Sequence, residues 1–360
     1  MRTITLNTIK VTQPIGELFI TKIDQATLWE MSKVDRRHIT NDDEVIGVQR
    51  ELKADKIRQI KKYLTTINAT FPNSIILNVN RENLVEESET KLTLMVKEDT
   101  FTIIDGQHRL AGFEDYKGNP FELIVTIFID LAIDQQAEIF STINSQQTKV
   151  DPSLNISLEL DDKYFTPRKM MVEIAQSFNY DKESPWYNSI RMLGNADKGI
   201  ISLAAFARPL FDLTYPERDW YLIKNALTKS DTSERLNDFD YDIRRHLFWP
   251  FYIKEDSASV YKILNNFFSA AKSIFVNDWL NPESILNKTT GYNALIRLFK
   301  DIVPIGIKNK KFTYDLFFEI MKPLKKLDGS TTAANYGSSG AYATNQLYRD
   351  FYELLKDRLI

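Results

Sequence analysis

The sequence predicts an α+β protein: an N-terminal mixed α/β domain over residues 1–150, then a mainly α-helical half over residues 151–360. Three observations predict it. The 360 residues leave room for two cores, at ~100 to 200 residues per domain. Up to Val150, short apolar runs bounded by Pro, Asn and Gly alternate with amphipathic stretches. Beyond Asp151 and Pro152 the strand signals fade and apolar residues recur at helical spacing. A composition of 43% apolar and 26% charged residues belongs to a folded globular chain rather than a disordered or collagenous one.

The elements follow in order. Ile4–Val11 and Glu17–Ile23 read as strands, and Asp24 is placed to cap a short helix through Met31, its carboxylate accepting from first-turn amides. A charged loop runs from Asp35 to Val48. From Ala54 to Ile67, the residues Ile57, Ile60, Leu64 and Ile67 fall on one helical face, with Lys56, Arg58, Lys61 and Lys62 mostly elsewhere. Pro72 and Asn73 end that helix. Ser74–Val79, Lys91–Val96, Phe101–Ile104 and Phe121–Ile129 read as strands, and the acidic segment Arg81–Glu89 as a solvated loop. Asp134–Asn144 reads as a helix with Ala137, Phe140 and Ile143 on one side. The second half offers helices at Met170–Phe178, Ile200–Phe211, Val260–Val276, Tyr292–Ile302, Tyr314–Met321 and Asn345–Leu355. The aromatic run Phe248, Trp249, Phe251 and Tyr252 flanks Pro250 at a density that belongs in a core or a domain interface.

Several chemistries are excluded at once. The chain has no cysteine, hence no disulfide scaffold, thiolate metal site or cysteine nucleophile. Three histidines make a multi-histidine metal site improbable, and no metal is expected. The net charge of −3 means that any nucleic-acid contact must come from a local basic face. No segment approaches the ~20 apolar residues of a bilayer span. The N-terminal residues lack signal-peptide character, so the cytoplasm is the expected location.

Chemistry concentrates in FTIIDGQHRLAGF, Phe101–Phe113. An apolar strand delivers Asp105, Gly106 allows a tight turn, and Gln107, His108 and Arg109 open a helix. Amides at such a helix start favour an anion, to which Arg109 can add a two-pronged contact. His108 titrates near neutrality and can pass a proton, while Asp105 can orient it or hold Mg²⁺. The same residues can equally cap the helix and pair with one another.

DGQHR is the name-giving motif of the DGQHR-domain proteins. Within them this chain resembles the DndB group in the order and spacing of four blocks: GVQRELKADKIRQIKKYL (Gly47–Leu64), FPNSIILNV (Phe71–Val79), IIDGQHRLAGF (Ile103–Phe113) and IFSTINSQQTKVDPSL (Ile139–Leu154). The resemblance covers the first 150 residues well and the remainder loosely, through KTTGYNALIRLF (Lys288–Phe299). It implies a domain related to the ParB and sulfiredoxin fold, whose Gly-containing turn handles nucleotide or nucleic-acid phosphates. That role falls here on Asp105, Gly106, Gln107, His108 and Arg109. It also implies a DNA-binding negative regulator of the genes for DNA phosphorothioate modification, not the sulfur-transferring catalyst. The missing cysteines agree with this, since sulfur relay normally needs a thiolate.

Further candidates are Gln49 and Arg50 beside the turn, and Asn144, Gln146 and Gln147 at an amide-rich helix end that can read a base or sugar. Two basic clusters are candidate DNA contacts: one over Arg50–Tyr63, including Lys56 and Lys61, and one over Lys308–Leu327, including Lys310 and Lys311. Each is otherwise an ordinary solvated face. Lys288, Thr289 and Thr290 before Gly291, and Ser338, Ser339 and Gly340, can present amides or hydroxyls to a DNA backbone. The expected partners are promoter DNA of the modification genes, other modification proteins and a second copy of the chain, and the candidate cofactor is Mg-ATP or another nucleotide. The alternative is an enzyme, an NTPase or phosphodiesterase in DNA sulfur or 7-deazaguanine modification. It would use Asp105 with Mg²⁺, His108 as acid or base and Arg109 against developing charge. A non-catalytic assembly subunit is the third possibility.

Overall fold

The computed structural model describes residues 2–33, 38–39, 45–46, 52–146, 150–193, 199–228, 236–337 and 340–359. Two compact units divide the chain, Met1–Lys149 and Val150–Ile360. The first is mixed α/β and the second is mainly helical.

In the first unit, β1 (Thr3–Asn7), β2 (Ile9–Gln13) and β3 (Gly16–Asp24) lead into α1 (Gln25–Glu30). The single strand expected over Ile4–Val11 is divided at Thr8 because its two halves serve different sheets. β1 pairs with β9 (Lys91–Met95), and β2 pairs with β3. Asp24 caps α1 as expected, accepting from the Thr27 amide at 2.9 Å, a contact worth about 1 kcal/mol. After β4 (Ser32–Lys33), β5 (His38–Ile39) and β6 (Val45–Ile46) comes α2 (Ala54–Tyr63). This helix stops at Tyr63 rather than Ile67. The hydroxyls of Thr65 and Thr66 return to the carbonyls of Lys62 and Tyr63, competing with the helix for its last acceptors, and Ile67 is left exposed.

The remaining strands are β7 (Ile75–Val79), β8 (Leu84–Glu87), β9, β10 (Phe101–Asp105) and β11 (Glu122–Ile129), with α3 (Gln107–Ala111) after β10 and α4 (Ile133–Gln146) last. The acidic segment Arg81–Glu89 is therefore not simply a loop. It contributes β8, an edge strand antiparallel to β9, with Arg81 held between Glu87 and Asp130. The main sheet runs β2-β3-β11-β7-β10-β4, with β11 parallel to β7 and β7 antiparallel to β10.

Alternation builds the core. Ile75, Leu77 and Val79 of β7 and Leu123, Val125 and Ile127 of β11 point to one face. There they meet Leu28 of α1, Leu64 after α2, and Leu110 and Phe113 in and after α3. The opposite face carries Leu18, Ile104 and Phe128, covered by Ile139 and Phe140 of α4. Ala137, expected on the packing side of α4, is exposed. The inward set of α4 is Gln136, Ile139, Phe140 and Ile143, which keeps Phe140 and Ile143 of the expected stripe and puts Gln136 and Ile139 in place of Ala137.

The second unit contains α5 (Pro152–Ser157), α6 (Pro167–Tyr180), α7 (Leu203–Asp212), α8 (Trp220–Thr228), α9 (Trp249–Ile253), α10 (Ser257–Ile274), α11 (Val276–Trp279), α12 (Thr289–Asn309), α13 (Tyr314–Met321), α14 (Ala333–Tyr336) and α15 (Ala341–Leu355). The expected helices are present. The one expected from Ile200 begins at Leu203 because Ile201–Ser202 pairs with Ile190–Arg191 and Ser202 caps the first turn. Trp186 centres the core, with Phe206, Phe268, Trp279 and Tyr292 packed around it edge-on. Phe248, Trp249 and Tyr252 are buried in the same cluster, as their density implies. Among the described residues, no helix is long and apolar enough to cross a membrane.

Candidate functional site

The DGQHR segment forms the junction between β10 and α3. A register shift against β7 between Ile103 and Asp105 bulges the end of β10, the usual way a strand re-aims a terminal side chain. Gly106 follows with φ of 98°, in the left-handed region. A Cβ there would lie 2.9 Å from Ile75 Cγ1 and 3.1 Å from Arg109 Nη2, so glycine meets both the conformational and the spatial requirement. Leu110 and Ala111 then bury α3 against the sheet.

Arg109 closes the turn. Its Nη2 donates to Asp105 Oδ2 at 2.9 Å and its Nη1 to the Asn73 carbonyl at 2.7 Å, tying the motif to the loop before β7. Asp105 and Arg109 thus neutralise each other within the turn, with side chains 27% and 20% exposed. His108 is half-buried, and its Nε2 accepts from the Lys53 backbone amide at 3.0 Å. An accepting Nε2 places the proton of the neutral ring on Nδ1. Burial, followed by the cations of Lys56 and Lys53, holds the His108 pKa below the ordinary 6.5, with Asp105 pulling the other way.

Around these residues lies a cleft of about 550 Å³. Its walls are the start of α2 with Lys53 and Lys56, the approach to β7 with Asn73 and Ser74, the turn itself, and Phe140, Ile143 and Asn144 of α4. With Asp105 and Arg109 cancelling, the surplus charge of the cleft comes from Lys53 and Lys56. Such a site can bind an anion between two lysines and a neutral imidazole.

The expected site residues separate into groups. Asp105, Gly106, Gln107, His108, Arg109, Lys56 and Asn144 come together at the cleft. Gln107 is buried, and the Asn144 amide donates back to the Phe140 carbonyl at 2.8 Å. Lys61 shares α2 with Lys56 but pairs with Glu114 at 3.0 Å, away from the cleft. Gln49, Arg50, Gln147, Ser338 and Ser339 lie outside the described residues, as does most of the loop Asp35–Val48. In the helical unit, Lys288 donates to the Pro282 carbonyl. Thr290 is only 5% exposed, which withdraws it from a surface that could meet a duplex. Lys310 and Lys311 stand exposed at the end of α12. Sequence reasoning misses the Lys53 amide and the Asn73 carbonyl, because a main-chain contact leaves no residue-type signal. Among the described residues, no three His, Cys, Asp or Glu side chains converge in a way that could hold a metal ion.

The family model DndB, described as DNA-sulfur modification-associated, matches residues 6–185. No curated protein and no solved structure matches the chain. The matched range contains the whole DGQHR cleft and continues through α5 and α6, while the looser resemblance at Lys288–Phe299 lies outside it. Half of the 360 residues fall under that model, and the chain belongs to the DndB family of DNA-sulfur modification-associated proteins.

Proposed function

We propose that the protein is a DNA-binding negative regulator of the genes of a DNA phosphorothioate modification system, and that its DGQHR cleft contacts a phosphate of DNA or of a nucleotide. The observation that carries this reading is the pairing of the family motif with a basic edge across one cleft, Lys53 and Lys56, which have no ion-pair partner among the described residues. The first unit is proposed to be of the ParB and sulfiredoxin type, with the turn as its phosphate contact. Commitment of Asp105 to Arg109, and of His108 Nε2 to a main-chain amide, supports binding over hydrolysis. Lys310 and Lys311 are proposed as additional backbone contacts, and a second copy of the chain as the partner on a palindromic operator. Other modification proteins are further proposed partners.

The test is fluorescence-anisotropy titration of the full chain against the duplex upstream of its own gene and a scrambled duplex of equal length. Tighter binding to the upstream duplex is expected. Equal affinity for both would overturn the regulator.

A further inference from the structure

The helical unit holds a larger cavity that the DNA-sulfur assignment does not use, about 940 Å³ in volume. That size is within the range of small-molecule sites, ~300 to 1,000 Å³. Its basic wall is built from Arg208 on α7 and from Arg297 and Lys300, one turn apart on α12. Three carboxylates also line the cavity, Asp212, Glu159 and Glu217, and the last two pair with Arg168 rather than with these cations. Arg297 donates to the neutral Asn345 amide oxygen. Lys300 Nζ stands 4.0 Å from Asp212 Oδ2, the loosest ion pair among the described residues of the unit. Arg208 has no ion-pair partner among the described residues. Arg168, on another wall, is different: Glu159, Glu217 and the Tyr215 hydroxyl hold it, and it lies 3.8 Å over the Trp220 ring.

Two further features of the same cavity suit an anion. Thr289 and Thr290 begin the 21-residue α12, and Gly340 and Ala341 begin the 15-residue α15, so two long helices start at its wall. Neither has a side-chain cap or an acidic residue in its first turn, which leaves their positive ends without a built-in counter-charge. The remaining lining is suited to a flat heterocycle, with Ile156 and Ile296 as apolar surface and the amides of Asn155 and Asn293 as pairing groups.

We propose that this cavity is a nucleotide site, with the phosphates held by Arg208, Arg297 and Lys300 and the base against Ile156 and Ile296. It is independent of the reading given for the DGQHR cleft.

The experiment is calorimetric titration of the full chain with ATP, AMP, pyrophosphate and a single-stranded oligonucleotide. It uses wild type, Arg208→Glu, Arg208→Lys, Lys300→Glu, Lys117→Glu as the neutral control and Lys56→Glu to report binding at the DGQHR cleft, with circular dichroism to check each fold. Saturable ATP binding is expected. Reversing one charged phosphate contact should weaken it about tenfold or more in Arg208→Glu and Lys300→Glu, with Lys117→Glu, an exposed position in neither cavity, unchanged and Arg208→Lys retaining most of the affinity. Three results would overturn the site: no binding of any mononucleotide or pyrophosphate; loss of binding in Lys56→Glu with both cavity variants intact; or oligonucleotide binding, but not ATP binding, weakened by Arg208→Glu and Lys300→Glu, which would assign the charge to a DNA backbone.

Discussion

The surroundings of His108 in the DGQHR turn favour the neutral ring. Burial, Lys56 and Lys53 all act against protonation, and Asp105 only partly offsets them. A nuclear magnetic resonance titration of the ring should therefore show a midpoint below the ordinary ~6.5. The midpoint should rise in Lys56→Ala, since a neighbouring cation is removed, and fall further in Asp105→Asn. A midpoint above the ordinary value, or one indifferent to Lys56, would refute this electrostatic picture. The sign for stability follows. Because the folded pKa is depressed, the unfolded chain binds the proton more readily, so the contribution of His108 is intact above about pH 6.5 and is lost as pH falls toward the folded value. His246 acts in the same direction, chiefly through burial.

At the scale of elements, the strand-turn-helix junction depends on Gly106. Gly106→Ala places a Cβ against Ile75 and Arg109 at a φ that L-residues rarely adopt, and should cost about 1–3 kcal/mol. Thermal or urea unfolding would measure this, and a variant as stable as wild type would mean that the turn can relax. This junction was legible in the sequence because each part carries a residue-type signature: an apolar β-rich run, a glycine, then a helical pattern. Asp24 at the start of α1 was legible for the same reason, since a cap is a local bond between a side chain and nearby amides. Other features rest on partners distant in the chain. β8 forms because β9 offers it an edge, Thr8 divides a strand because two sheets compete for it, and α2 ends where two threonine hydroxyls take its carbonyls. The site shows the same division. The motif residues were visible, while the Lys53 amide that engages His108 and the Asn73 carbonyl that engages Arg109 reach them from 55 and 36 residues away.

At the scale of the whole molecule, a chain of net charge −3 must concentrate the proposed attraction for DNA on local faces. Its two units have separate cores, and each presents basic residues of its own: Lys53 and Lys56 at the DGQHR cleft, and Lys310 and Lys311 at the end of α12. Binding to DNA through them should be strongly salt-dependent, because each neutralised phosphate releases condensed counterion. The central claim is that the DGQHR cleft is one of these phosphate contacts. Its most direct test compares wild type with Lys56→Glu on the upstream duplex over a series of salt concentrations. The account predicts weaker binding by the variant, and a plot of log affinity against log salt that is shallower by about one unit. Superimposable salt curves for the two proteins would contradict it.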